Sequence, residues 1–150
     1  MSTYDRPELR RWRDQAAAAL GAAGAVAETP SWSCFLCEQA AQLAVKGLLH
    51  AVGAHAAAWG HDLTLLEARA ASTFGADWPS VSDPAARLAR HYIPARYPDA
   101  HPSGSPEEHY TAADAGDALA DALAVLVAVD TIVAQLDAAD HAKPDSGDGG

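Results

Sequence analysis

Apolar residues recur at three- and four-residue intervals along most of this chain, the spacing of one face of a helix. The first stretch predicts a helix from Asp5 to about Gly24. Leu9, Trp12, Ala16 and Leu20 form its stripe, and Arg10, Arg11, Arg13 and Asp14 lie off it. Gly21, Gly24, Thr29 and Pro30 break the pattern. A second helix is expected to start near Ser31 to Ser33, whose hydroxyls can cap free backbone amides. It runs to about Val52 along Leu36, Ala40, Leu43, Gly47 and Leu48, with Gly53 as its stop. Ala54 to Gly60 reads as a short connection. Asp62 can cap a third helix from Leu63 to about Phe74, followed by a loop from Gly75 to Pro79. Asp83 and Pro84 then open a short helix to about His91, because the missing proline N–H costs nothing in a first turn.

Residues 92 to 110 hold four of the nine prolines and Gly104, which predicts a loop. Nineteen residues without regular structure in a compact domain point to function or disorder. Three tyrosines, Ile93 and Arg96 argue against disorder. Thr111 and Asp114 are spaced as a capping box, with Asp in the place usually held by Glu or Gln. They open a long last helix to about Ala139, whose stripe is Leu119, Ala122, Leu126, Val129, Val133 and Leu136. There is no strand-length alternation and no internal repeat. The pattern therefore predicts an all-α domain over residues 1–142, an up-and-down bundle of four to five helices. Residues 143–150 read as a disordered polar tail.

Composition sharpens this picture in one respect. Of the 74 apolar residues in the 150-residue chain, 37 are alanine and only 24 are Val, Ile or Leu. Alanine favours closely packed helices, and the thin supply of bulky side chains favours a core shared with a second copy, a homodimer. The formal charge of -10 excludes a general coating of nucleic acid or of an anionic membrane surface. With no unbroken apolar run near ~18 residues, no membrane span is expected. Met1 to Arg13 has no apolar stretch that could serve as a signal peptide, so a soluble cytoplasmic protein is the expectation.

Cys34 and Cys37 form a CxxC with no second pair and no βαβ setting, and they read as small buried hydrophobes. His50, His55 and His61 cluster, but their spacings straddle a helix end and a loop, and no acidic residue repeats at ligand spacing. Local roles are expected for them, and neither a metal nor a cofactor is implied.

The segment Arg87 to His101 differs from the rest. Arg87, Arg90, Arg96, His91 and His101 stand against Asp99 alone, a formal +2 within a chain of -10. A focused basic spot on an acidic body suits a phosphate-bearing ligand, RNA or a nucleotide. The competing reading is that these arginines pair with the surplus carboxylates. Arg96 and His101 lie five positions apart in the proline-stiffened loop. An arginine can clamp a phosphate and stabilise charge growing on it, and a histidine can move a proton at neutral pH. Together they could cleave RNA without a metal, through a 2',3'-cyclic phosphate. One histidine does not readily serve as both acid and base, so two copies facing each other fit better. Arg87, Arg90 and His91 are candidate phosphate contacts, and Tyr97 and Tyr110 are candidate stacking rings for a base.

Four segments in order resemble the HEPN family (higher eukaryotes and prokaryotes nucleotide-binding). They are Phe35 to Leu49, the helix start at His61 and Leu63, the loop Tyr92 to Asp99, and the opening at Tyr110, Thr111 and Asp114. The resemblance spans about Leu9 to Leu136. It implies a helical bundle that dimerises and is often encoded beside a minimal nucleotidyltransferase. Many members are RNases of toxin–antitoxin or defence systems that use an R-x4-6-H motif from each subunit. Arg96 and His101 match that motif, which would give Arg96 the scissile phosphate and His101 proton transfer. Tyr97 follows the arginine where active members usually carry Asn, Asp or His. Ser103 stands where one branch carries a tyrosine modified by its partner nucleotidyltransferase. A non-catalytic nucleotide-binding protein, or the substrate-binding partner of such a transferase, is the alternative.

Overall fold

A computed structural model of the chain describes residues 3–144, and the tail expected over 143–150 falls beyond Pro144 outside them. The fold is all-helical. Among the described residues six α-helices follow one another: α1 (Arg6–Ala25), α2 (Pro30–Ala51), α3 (Leu63–Phe74), α4 (Ser82–Ala89), the single turn α5 (Pro106–His109) and α6 (Ala112–Ala142). Asp5, Asp62 and Thr111 accept hydrogen bonds from the backbone amides of Glu8, Leu65 and Asp114, capping α1, α3 and α6. The capping box read at Thr111 and Asp114 forms in full.

Two expectations need correction. The loop from 92 to 110 is not without regular structure: it holds a 3-10 turn at Pro98–Ala100 and the helical turn α5. Pro98 and Pro106 each stand at the first or second position of their turn, where a fixed φ starts a helix instead of breaking one. Ser105 and Glu108 close a capping box around α5 that the proline count obscures. The second correction concerns α6, which by length and composition is apolar enough to cross a bilayer. Interleaved aspartates and alanines hide this when unbroken runs are sought. Here α6 is a core helix of the domain, burying Ala122, Val125, Leu126, Val129 and Ile132.

The helix α2 lies at the centre and is buried on nearly all sides, with α1 and α6 packed along it. The fully buried residues of α1, namely Leu9, Ala16 and Ala23, recur every seven positions and form one seam against it. Close approach is set by Gly47. A methyl group there would collide with Trp12 Cβ and lie 3.0 Å from Trp12 Cγ and 3.6 Å from Trp12 Cα.

The acidic surplus on α6 has structural employment. Arg13 makes two bonds of 2.9 Å to Asp130, and Arg87 makes two of 2.9 Å to Asp121. Arg6 reaches both Asp137 and Asp140, and the Tyr4 hydroxyl donates to Asp137 at 2.6 Å. These pairs tie α1 and α4 to the long helix. Cys34 and Cys37 are fully buried in the core, and burial pushes both thiols up to about 12, well away from a reactive thiolate.

Candidate functional site

Helical spacing puts Phe35, Glu38, Gln42 and Lys46 on one face of α2. The start of the 92–110 loop closes over that face. Arg96 Nε donates to the Tyr92 carbonyl at 2.8 Å, which bends the side chain back over its own loop. Its guanidinium carbon then lies 4.3 Å from the centre of the Phe35 ring, 4.8 Å from Tyr92 and 5.0 Å from Tyr97. Three aromatic rings thus hold the cation by their electron-rich faces. No carboxylate forms an ion pair with Arg96 among the described residues; the nearby carboxyl, Glu38, acts on it only through space.

Glu38 is fully buried on the same α2 face. One of its oxygens accepts from Gln42 Nε2 and the other from Gln39 Nε2 at 2.8 Å. Those donors, with Arg96 and Lys46 nearby, favour the carboxylate, but burial outweighs them and raises Glu38 to about 7. Gln42 Nε2 also donates to the His61 carbonyl at 3.0 Å, and the His61 ring stacks on Tyr92 at 5.5 Å. A polar network therefore runs beneath the Arg96 cage from α2 to the start of α3.

Because the folded pKa of Glu38 lies above its ordinary value, the proton binds more tightly in the folded protein. The stability this contributes is full below the ordinary carboxylate range and is lost as pH rises through about 7. Glu38→Gln removes that dependence. Urea unfolding at pH 5 and pH 8 is expected to show the wild type losing more stability between the two than the variant; equal losses would contradict a buried, titrating Glu38.

His101 sits at the far end of the 3-10 turn. Its Nε2 is 2.6 Å from the Pro94 carbonyl, and a carbonyl can only accept, so Nε2 carries the proton. In the neutral ring this leaves the lone pair on Nδ1. The ring stacks on His109, centroids 4.3 Å apart and planes within 3°. His109 is in turn held by the Ser103 carbonyl at 2.6 Å. The Pro94 bond folds the loop back on itself, so that His101 is anchored to the backbone two positions before Arg96. Glu107 fixes the loop to the body. It accepts from the Ser31 hydroxyl and from the Ser31 amide at 3.1 Å, capping α2, whose own Thr29 makes no side-chain cap.

The other candidate contacts lie elsewhere or are engaged. Arg87, Arg90 and His91 line a small cavity of 200 Å3 with Asp114, Asp117 and Asp121. Three carboxylates from α6 thus face the arginines of α4, and the basic stretch in the sequence is not a basic patch in the fold. Arg90 is exposed, whereas Arg87 is locked to Asp121. His91 Nδ1 and the Tyr110 hydroxyl meet at 3.0 Å. Burial lowers the histidine and raises the tyrosine to about 12, which favours the neutral form of both. Tyr97 remains an exposed ring, 48% accessible. His50 and His55 face each other through Nδ1 at 2.7 Å, while His61 is drawn to Gln42 and Tyr92. Since Arg87 serves the α4–α6 contact, Arg87→Met is expected to lower the melting temperature slightly, on the modest scale of surface ion pairs. An unchanged melting temperature would mean that the Arg87–Asp121 pair does not hold α4 to α6.

Glu38 and Gln42 lie beneath Arg96 without having been singled out in the sequence. The signal for them is a pair of polar residues four apart in the buried middle of α2.

A model of the HEPN domain family matches residues 9–132. Among solved structures, TT1696 from Thermus thermophilus is 35% identical, with 81% of this chain and 95% of that chain covered and a TM-score of 0.69. ST0689, described as an archaeal HEPN homologue, is 30% identical, with coverage of 85% and 97% and a TM-score of 0.67. No curated protein matches significantly.

Proposed function

The chain belongs to the HEPN domain family, and we propose that it is a metal-independent endoribonuclease, a cytoplasmic toxin-type component acting where two copies meet. The observation that carries this reading is that one loop holds both Arg96, caged by aromatic rings and in no ion pair among the described residues, and His101, fixed as the Nε2–H tautomer.

In this reading, Arg96 holds the scissile phosphate and stabilises the negative charge that grows on its oxygens. Nδ1 of His101 takes the proton from the 2'-hydroxyl, whose oxygen attacks phosphorus. The P–O5' bond breaks as the 5'-oxygen receives a proton from the second copy's histidine. The products are a 2',3'-cyclic phosphate and a 5'-hydroxyl, and no metal enters the balance. Leu123 and Val127, exposed one turn apart on α6, support a second copy docking on this chain.

The test is RNA cleavage in EDTA by wild type, Arg96→Ala and His101→Ala, with size-exclusion mass measured on the same samples. Cleavage by a wild-type dimer, lost in both variants while the dimer persists, is expected. A second reading, that the loop holds a nucleotide without cutting, alone or beside a minimal nucleotidyltransferase, is favoured by the exposed Tyr97 ring next to Arg96. A folded wild type that binds nucleotide and never cleaves would select it.

A further inference from the structure

Lys46 lies on the α2 face that carries Glu38 and Gln42, half-buried, with no hydrogen bond or ion pair among the described residues. Burial lowers its pKa, and Glu38, whose oxygens are occupied by Gln39 and Gln42, only partly opposes this. Lys46 lines a cleft of 430 Å3 together with Trp12, His50, Trp59 and His61. A cleft lined by a cation in no ion pair and by two indoles is suited to a ligand with one anionic group and one flat aromatic group.

The two indoles are built into place. Trp12 stacks on His50 at 5.1 Å, and its Nε1 donates to Glu8 at 2.8 Å. Trp59 is 82% accessible, yet its backbone is pinned: Arg69 Nη1 donates to the carbonyls of Trp59 at 2.8 Å and Ala57 at 3.3 Å. Gly60, at φ +94°, then turns the chain sharply into α3. The Trp59 ring is thus held open to solvent, a face on which a base can stack.

The cleft also leads back to the catalytic loop. His61 lines it and lines a second cleft, of 450 Å3, with Tyr92, Ile93 and Pro94. Tyr92 is a wall of the Arg96 cage. From Phe35 beneath Arg96 to Lys46 is roughly 16 Å along the α2 axis. Arg96 and Lys46, neither in an ion pair among the described residues, thus stand at the two ends of a run of aromatic side chains, an arrangement that fits a single strand with unstacked bases.

We propose that the Trp12–Lys46–Trp59 cleft binds one nucleotide unit of the RNA away from the scissile phosphate, with its base on Trp59 and its phosphate at Lys46. This rests on the RNase reading for its choice of occupant. It makes single-stranded RNA the substrate and Trp59 and Lys46 binding residues.

The chain has four tryptophans, whose indole N–H signals are resolved by nitrogen-15 NMR and assigned with Trp→Phe variants. The probes are AMP and an uncleavable 2'-O-methyl tetraadenylate. Both are expected to move the Trp59 and Trp12 signals. Lys46→Gln is expected to weaken both about tenfold, with the buried Trp78 signal unmoved as the control for folding. Shifts with AMP alone would make this a free-nucleotide site and overturn the proposal. So would shifts confined to Trp32, or affinities indifferent to Lys46→Gln. Cleavage in EDTA by the same wild-type sample separates the two readings. Cleavage without Trp59 shifts sinks the cleft alone, and Trp59 shifts without cleavage sink the RNase reading.

Discussion

His101→Ala is expected to lower RNA cleavage by about a hundredfold to ten-thousandfold, the range that a positioned proton-transfer group supplies. The loss follows from the tautomer. With Nε2–H committed to the Pro94 carbonyl, Nδ1 is the ring atom left to accept a proton. Alanine also removes the Pro94 bond and the stack on His109, so a looser loop is a rival cause. His101→Gln separates them, because its amide can still donate to Pro94 but cannot act as a base. The glutamine variant is expected to be as inactive as the alanine one. Substantial activity in the glutamine variant would make His101 a loop anchor. Arg96→Lys is expected to fall about a hundredfold as well. It keeps the charge but loses the planar fork and the three-ring cage, and losing one donor to a developing oxyanion costs on that scale.

Gly47→Ala is expected to destabilise the fold by about 1–3 kcal/mol, the usual range for overpacking a tight contact. In an exposed helix the same change stabilises by up to about 1 kcal/mol, so the sign carries the information. At Gly47 the added methyl meets Trp12 Cβ and lies 3.6 Å from the Trp12 backbone, which forces α1 to move as a whole. Gly116, on α6, has open space around it and is the matched control. Thermal melts should move several degrees down for Gly47→Ala and stay level or move up for Gly116→Ala. Both moving up would mean that α1 does not approach α2 through this contact.

Local signals in the chain were enough for the five longer helices but not for every cap, since neither α2 nor α4 is capped by the side chain at its own N-terminus. Asp5, Asp62 and Thr111 announce three helix starts by chemistry that acts over three residues. Failures came where distant partners decide. The arginine-rich stretch reads as a phosphate site until Asp121, 34 residues away, takes Arg87. Conversely, nothing near Arg96 in sequence reveals that Phe35, on another helix, forms part of its cage. Glu38 is a polar residue within a buried helix, and only packing shows that Gln39 and Gln42 satisfy it. Loop prolines were read as breakers because a first-turn proline and a loop proline look alike until the following turn closes.

The chemistry of the cut ends is the next observation to make. Single-stranded RNA incubated with the wild-type protein in EDTA is expected to yield fragments ending in a 2',3'-cyclic phosphate and beginning with a 5'-hydroxyl. Intact RNA beside a folded protein would contradict cleavage by Arg96 and His101. So would fragments bearing 3'-hydroxyl and 5'-phosphate ends, since attack by the 2'-oxygen cannot produce them.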